Sequence, residues 1–314
     1  MRLEGMRTMG RTPVIIDTDP GIDDAVAIGI ALGSPALDVR LITTVGGNVS
    51  LENVTNNTLK LLRFWDEDIP VAKGADGPLV RELVDASSIH GASGMEGYVF
   101  DGEARECLNG KVAVEAAYET LMASDEPVEI VAIAPLTNIA LLLKVHPDVR
   151  GKVKRIVMMG GTLTRGNKGV LSEFNIATDP EAASIVFGSG IDLVMVGLDI
   201  AWQALVLPED IDQIRNCGRT GKMLTSLFDH YRGGSMKTGL KMYDPTAMAY
   251  LLEPGMFETT TTYVGIELAG ALTAGCTLVD LKGYLHQEPN ATVCTGIDAK
   301  AFRDWFVSSI KNCG

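Results

Sequence analysis

The stretch VIIDTDPGIDDAVAIGIAL, residues 14–32, decides how the whole chain is read. Val14, Ile15 and Ile16 form an uninterrupted β-branched run of the kind found in a strand buried on both faces. Pro20 and Gly21 force a turn, and Ala25 to Leu32 is apolar and Ala-rich enough to open a helix packed on a sheet. Asp17, Asp19, Asp23 and Asp24 therefore stand at the carboxyl end of a strand, where open α/β sheets gather their ligands. Asp23 or Asp24 can cap the helix at its positive end, but capping accounts for only one or two of the carboxylates. Asp17 and Asp19 fall on the same side of an extended chain, and like charges so close repel unless one is protonated or a cation lies between them. With hard oxygen ligands and no His or Cys nearby, a divalent cation is the economical answer.

Working outward, 314 residues suffice for one large α/β domain. A chain 46% apolar and 21% charged, without a linker, low-complexity tract or repeat, reads as a single globular domain over residues 1–314. The net charge of −13 argues against a nucleic-acid polymer or an anionic membrane as partner, since either needs a basic face. Cys107, Cys217, Cys276, Cys294 and Cys313 are odd in number, widely spaced and without a C-x-x-C pair, which suits a reducing, cytoplasmic setting. The N-terminal MRLEGMRTMGRT is basic but lacks an apolar core, so residues 1–12 read as a flexible tail, and no stretch approaches a membrane span.

Strand-like runs recur at LDVRLITTVGGN, IPVAKG, VEIVAIAP, KRIVMMGG and DLVMVGLD, each closed by a polar or Gly turn and usually followed by a helical pattern. Helices are expected over Leu51 to Phe64, Val112 to Ala123, Thr137 to Lys144, Pro180 to Phe187 and Asp298 to Ile310. The alternation predicts an α/β fold, a mostly parallel open sheet with helices on both faces. Past Glu258 the Thr-rich, alternating text predicts a short antiparallel extension. Val84 to Arg105 and Leu163 to Ser172 are polar or Gly-rich without periodicity, as loops that gate a site often are.

Several expected strand ends carry residues suited to a cation and a polyol: Asn48 in GGN, Thr137 and Asn138 in PLTN, and Asn167, Glu173 and Asn175 in RGNKGVLSEFNIATDPEAA. Each has a plainer reading, Asn48 as a turn residue, Thr137 as a helix cap and Glu173 as a solvated charge; their shared location is the informative part. Asp244 before Pro245 reads, in isolation, as a cap with proline at the first helical position. Other motifs fail on spacing. An EF-hand loop from Asp17 would end in a Glu where Ile28 stands, and GTLTRGNK has its Lys one place late for a phosphate loop. A haloacid-dehalogenase-type Mg²⁺-dependent phosphatase also places Asp-x-Asp after its first strand, but it needs Thr or Val where this chain has Gly21, and gives Asp23 and Asp24 no role.

With these residues in place, the chain resembles a nucleoside hydrolase of the inosine–uridine-preferring family. DTDPGIDDAVAI carries the resemblance most specifically, joined in order by GGN, PLTNIALLL, MMGG, EFNIATDPEAA and YDP. The resemblance implies Ca²⁺ held by Asp19, Asp24, the backbone carbonyl of Thr137 and Asp244. It implies that Asp23, Asn48, Asn175 and Asp244 grip the ribose 2′- and 3′-hydroxyls, and that Asn167 and Glu173 meet the 5′-hydroxyl side. Met159 joins these substrate contacts, with Phe174 and Tyr231 toward the base, and Asp17 is a supporting carboxylate. Asp19 is expected to accept a proton from water as it attacks C1′, with inversion.

The uncharged ribonucleoside explains the missing Arg/Lys clamp that a phosphate would require. Many family members carry His before the metal-binding Asp, where this chain has Tyr243. The catalytic set is then expected to be Asp19, His90 and Tyr243, with His90 chosen as a side chain that titrates near neutral pH and Tyr243 mainly forming pocket wall. A phenol is a weak acid for a departing base, so the expectation is preference for uridine and cytidine, or no base specificity. The family also implies nucleoside salvage and a homo-oligomer, dimer or tetramer, here expected as a homotetramer. The alternatives are the phosphatase and a protein that binds a nucleoside without turnover.

Overall fold

The computed structural model describes residues 10–101 and 108–314; Arg105 and Cys107 lie outside them, as does most of the expected tail. Strand and helix alternate as β1 (Thr12–Thr18), α1 (Ile22–Gly33), β2 (Leu37–Thr44), α2 (Leu51–Trp65), β3 (Val71–Lys73), a single turn α3 (Ser87–His90), β4 (Leu108–Val112), α4 (Ala113–Ala123), β5 (Val128–Ala132), α5 (Thr137–Val145) and β6 (Val153–Met159). There follow α6 (Phe174–Thr178), α7 (Pro180–Phe187), β7 (Leu193–Val196), α8 (Leu198–Gln203), α9 (Pro208–Arg215), α10 (Gly218–Phe228) and the small pair β8 (Gly234–Ser235) and β9 (Gly239–Leu240). The chain closes with α11 (Asp244–Leu252), β10 (Phe257–Thr262), β11 (Val264–Ile266), β12 (Thr277–Val279), β13 (Ala291–Ile297) and α12 (Ala299–Lys311).

The central sheet has nine strands in the order β10-β13-β7-β6-β5-β1-β2-β3-β4. Every neighbouring pair is parallel except β10 with β13. The chain steps outward from β1 to β4, then returns to lay β5 on the other side of β1 and steps outward again. Strand order thus reverses between β1 and β5, which opens a crevice at their carboxyl ends. The aspartate-rich turn after β1 and the Pro135–Thr137 turn after β5 both lie there, and the Ile133 amide donates to the Asp17 carbonyl across the gap at 2.9 Å.

Alternation along β1 divides its apolar residues between two cores. Val14 and Ile16 pack with Ile28, Phe228 and Phe302 on one face, whereas Ile15 packs with Ile130, Leu142 and Val186 on the other. Full burial of such side chains stabilises by roughly 1.5–3 kcal/mol each, so the buried run fixes β1 as an inner strand.

The expected helices appear within a residue or two of their ends, with corrections. Thr12 already belongs to β1, its amide donating to the Ala36 carbonyl, so the tail stops short of it. Val112 ends the unforeseen strand β4 rather than opening a helix. The expected loop from Val84 contains the turn α3. The helices α8 to α10 carry no expectation from the sequence; in α10 Gly218 and Gly221 weaken the local helical signal, and burial of Met223, Leu224, Leu227 and Phe228 outweighs that propensity, whereas Asp244–Pro245 does mark the start of α11. The antiparallel extension is present as β10 on β13 and as the pair β11–β12, but β13 rejoins the main sheet parallel to β7. Among the described residues no helix is long and apolar enough to cross a membrane.

Candidate active site

The turn after β1 is organised by its own carboxylates. Asp24 accepts the Gly21 amide at 2.9 Å and the Thr18 hydroxyl at 2.6 Å, so it does cap α1 while its side chain stays at the crevice. Asp19 Oδ2 accepts the Asn48 amide at 2.7 Å, and the Asn48 side chain donates to the Asp19 carbonyl at 3.1 Å and to Asp24 at 3.2 Å. Gly47 permits this approach, because a Cβ there would stand 2.0 Å from Asp19 Oδ2. Asp17 accepts the Thr43 hydroxyl at 2.5 Å and the Asn138 side-chain amide at 2.8 Å, tying β1 to β2 and α5. Burial pushes its carboxyl up to about 7 against those two hydrogen bonds.

Asp244 arrives from the far end of the sequence. It is the first residue of α11, whose cap position is Tyr243, and it makes no capping bond, contrary to its isolated reading. Asp23, Asp24 and Asp244 each present an oxygen within 4.8 Å of the others, and all three are buried. Asp19 stands beside this group with its Oδ1 buried and without a hydrogen-bond partner. Burial raises every one of these carboxyls: Asp23 to about 6, Asp24 with a further push from the Asp23 charge, and Asp19 and Asp244 well above the usual range with repulsion from their neighbours added. None of the four forms an ion pair among the described residues. Buried like charges with an orphaned oxygen and only hard donors fit a divalent cation. The Thr137 hydroxyl is committed to Asp179 at 2.6 Å, and Leu136 holds the cap position of α5, so what Thr137 retains for a cation is its main-chain oxygen.

Above this floor lies a cavity of about 350 Å³ whose lining includes Asp23, Asn48, His90, Met159, Asn167, Glu173, Phe174, Asn175, Tyr231, Tyr243 and Asp244. The fold thus brings together all the expected substrate and catalytic side chains except Asp19, which lies beneath them. Glu173 is no solvated charge. It is 2% exposed, caps α6 through the Asn175 and Ile176 amides at 2.9 and 3.1 Å, and accepts Gly161 at 3.0 Å. Burial outweighs those bonds and lifts its carboxyl to about 7. Asn175 donates to the Met159 carbonyl at 3.1 Å, and Asn167 accepts the Phe174 amide at 2.9 Å, which leaves the Asn167 side-chain NH₂ free to donate.

His90 departs from expectation in its acidity. It is 7% exposed, and burial pushes its imidazole down to about 4, outweighing the attraction of Asp24. Its Nδ1 accepts the Ile22 amide at 3.2 Å, so at neutral pH the proton resides on Nε2. Tyr231, expected to meet the base, has its hydroxyl within 3.1 Å of Asp23 and 2.9 Å of the Lys241 carbonyl, and burial raises the phenol well above its usual value. It orients Asp23. Tyr243 also lines the cavity, accepts the Trp202 indole N–H at 3.4 Å, and has its phenol pushed up to about 12 by burial.

Four residues make contacts that the sequence pattern does not show, and two of them, Lys168 and Arg232, line the cavity. Asn138 was noted as polar but not as the partner of Asp17, and Trp202 carried no motif. Lys168 lies over the Phe174 ring at 5.2 Å and donates to the Val84 carbonyl at 3.0 Å, while Arg232 donates to the Ser88 carbonyl at 2.8 Å. The Lys168–Val84 and Arg232–Ser88 bonds join residues 84 and 144 positions apart, for which local patterning has no signal.

Comparison with known proteins agrees with this architecture. Residues 14–304 match the family described as inosine-uridine preferring nucleoside hydrolase. The non-specific ribonucleoside hydrolase RihC of Salmonella enteritidis is 51% identical over 292 residues, covering 93% of this chain and 95% of that protein; RihC of Salmonella typhi matches to the same extent. Among solved structures, a plant nucleoside hydrolase, PpNRh1, superposes with a TM-score of 0.89 at 32% identity over 96% of this chain and 99% of that one. A purine-preferring ribonucleoside hydrolase from Gardnerella vaginalis gives 0.88 at 29% identity over the same shares.

Proposed function

This chain belongs to the inosine-uridine preferring nucleoside hydrolase family and is a ribonucleoside hydrolase; from that premise we propose that it is a Ca²⁺-dependent enzyme of broad base acceptance, releasing ribose and free base from uridine, cytidine and purine ribonucleosides alike. Of the two expectations, pyrimidine preference and lack of specificity, the relatives support the second, since the RihC proteins are named non-specific. The observation that carries the metal reading is the buried group Asp23, Asp24 and Asp244 beside the unpartnered Oδ1 of Asp19.

Asp19, Asp24, Asp244 and the main-chain oxygen of Thr137 would hold the ion, which when bound supplies positive charge for gripping a diol and for making water more acidic. Asp19 keeps one oxygen engaged by Asn48 and the other unpaired, so Oδ1 is placed to take the proton of the attacking water. Asp23, Asn48 and Asn175 reach the ribose hydroxyls, and Asn167 with Glu173 the 5′ side. Cleavage builds positive charge on C1′ and the ring oxygen, which an acidic floor favours, while negative charge moves to the base. His90, neutral with its proton on Nε2, donates a hydrogen bond to that base instead of acting as an imidazolium acid. Phe174 and Tyr243 wall the base.

The four described thiols are all free, which supports the cytoplasmic setting, and in the same reading the enzyme serves nucleoside salvage as a homo-oligomer. Chromatography of uridine, cytidine, inosine and adenosine incubated with chelator-treated enzyme, with and without Ca²⁺, tests the whole reading. Release of each base only with Ca²⁺ supports it; Ca²⁺-independent turnover overturns the metal role, and turnover of a single base overturns the breadth.

A further inference from the structure

Two phenols line the cavity, and they differ in what their protons can do. The Tyr231 hydroxyl has Asp23 and the Lys241 carbonyl as acceptors. Tyr243 has none among the described residues. Among the described residues its hydroxyl makes one hydrogen bond, and it is one it accepts, from the indole Nε1–H of Trp202 at 3.4 Å. An indole N–H can only donate, so one lone pair of the Tyr243 oxygen is occupied from behind and the phenol proton remains available to the cavity.

Trp202 is itself held from two sides. It lies on α8 three residues after Asp199, whose carboxylate accepts the Thr162 hydroxyl at 3.0 Å, the Leu163 amide at 2.7 Å and the Thr164 hydroxyl at 2.7 Å. The Arg165 carbonyl, 2.8 Å from the Thr162 hydroxyl, shares that one proton with Asp199. This clamp fixes the segment after β6 against α8 and sets the Arg165 guanidinium 4.8 Å over the Trp202 ring, a cation–π contact that also polarises the indole N–H. An otherwise unmarked acidic residue, a surface arginine and a tryptophan thus converge on one phenol oxygen.

We propose that Trp202, braced by Asp199 and Arg165, is a positioning residue that aims the Tyr243 O–H at the base, where it donates to the acceptor beside the glycosidic nitrogen. This rests on the reading of Tyr243 as base wall and deepens it. Uracil and cytosine offer a carbonyl oxygen in that position, and purines a ring nitrogen, so a neutral donor there suits both classes of base. As the C1′–N bond breaks, its electron pair stays with the base, and the hydrogen bond strengthens without the phenol giving up its proton. The Asp199–Arg165–Trp202 arrangement would then support breadth of base acceptance.

The test pairs uridine with 4-nitrophenyl riboside, whose leaving group departs as a stabilised phenolate and needs no donor. Trp202→Phe keeps the ring and removes the N–H; kcat/KM for uridine should fall about three- to tenfold, the scale of one neutral hydrogen bond, while the nitrophenyl substrate is little changed. In a Tyr243→Phe background the same substitution should cost nothing further, because its partner oxygen is gone. Arg165→Met, at an exposed position, should give a smaller loss in the same direction and serves if Trp202→Phe folds poorly. A Trp202→Phe loss equal on both substrates, or equal in both backgrounds, marks a merely structural role and overturns the inference. A costly Tyr243→Phe with a silent Trp202→Phe overturns the inference alone; a silent Tyr243→Phe overturns it together with the donor role of the base wall.

Discussion

The imidazole of His90 rests on the backbone of the aspartate turn: its Nδ1 accepts the Ile22 amide at 3.2 Å across 68 residues of sequence. Gly21 makes the contact possible, since a Cβ at that position would lie 2.5 Å from the same nitrogen. The turn that presents the carboxylates therefore also sets the tautomer and the place of His90 in the cavity wall.

Gly21→Ala should displace His90 and mimic its removal. His90→Ala is expected to lower kcat for uridine by about one to three orders of magnitude, the range of a lost acid–base or hydrogen-bonding group, and Tyr243→Phe to cost much less. Steady-state kinetics on the three variants decides the order; a silent His90→Ala with a crippled Tyr243→Phe would reverse the two roles.

Asp19→Ala and Asp24→Ala should each weaken Ca²⁺ binding by at least about tenfold, since even outer partners of metal ligands cost that much. Calorimetry on metal-free protein measures it directly. Unaltered affinity in both variants is incompatible with their assignment as ligands.

Removing one substrate hydroxyl should be nearly as damaging as removing a ligand. 2′-Deoxyuridine is expected to react about 100-fold more slowly than uridine or worse, because a buried carboxylate would be left facing empty space. Equal rates would show that the acidic floor does not read the diol.

Glu173 gives a pH signature of stability. Its folded pKa of about 7 lies above the ordinary 4.5, so as pH rises the unfolded chain releases this proton first and the folded state loses stability across that window. Denaturant titrations between pH 5 and 7.5 should show a shallower decline for Glu173→Gln than for the parent. Below that window the variant should also be less stable, because Gln offers one acceptor oxygen to the Gly161, Asn175 and Ile176 amides where Glu173 offers two. An unchanged slope would mean that the carboxyl is not held up by burial.

The sequence determined the architecture through local patterns that survive any context. The β-branched run before Asp17 required an inner strand, and the Pro20–Gly21 turn placed the aspartates at its carboxyl end. The GGN turn placed Asn48 at the end of the second long strand, and there its amide meets Asp19. What stayed hidden depended on partners distant in the chain. Asp244 reads as a cap until α11 is packed beside α1, and Glu173 reads as a solvated charge until Gly161 and the start of α6 close around it. His90 has an ordinary pKa in the sequence; only tertiary burial, which outweighs the attraction of Asp24, pushes its imidazole down to about 4. Trp202 and Asp199 belong to no motif, and their relation to Tyr243 exists because the segment after β6 folds back onto α8. Residue type and spacing select the elements, whereas protonation state and hydrogen-bond direction are set by desolvation and long-range contact.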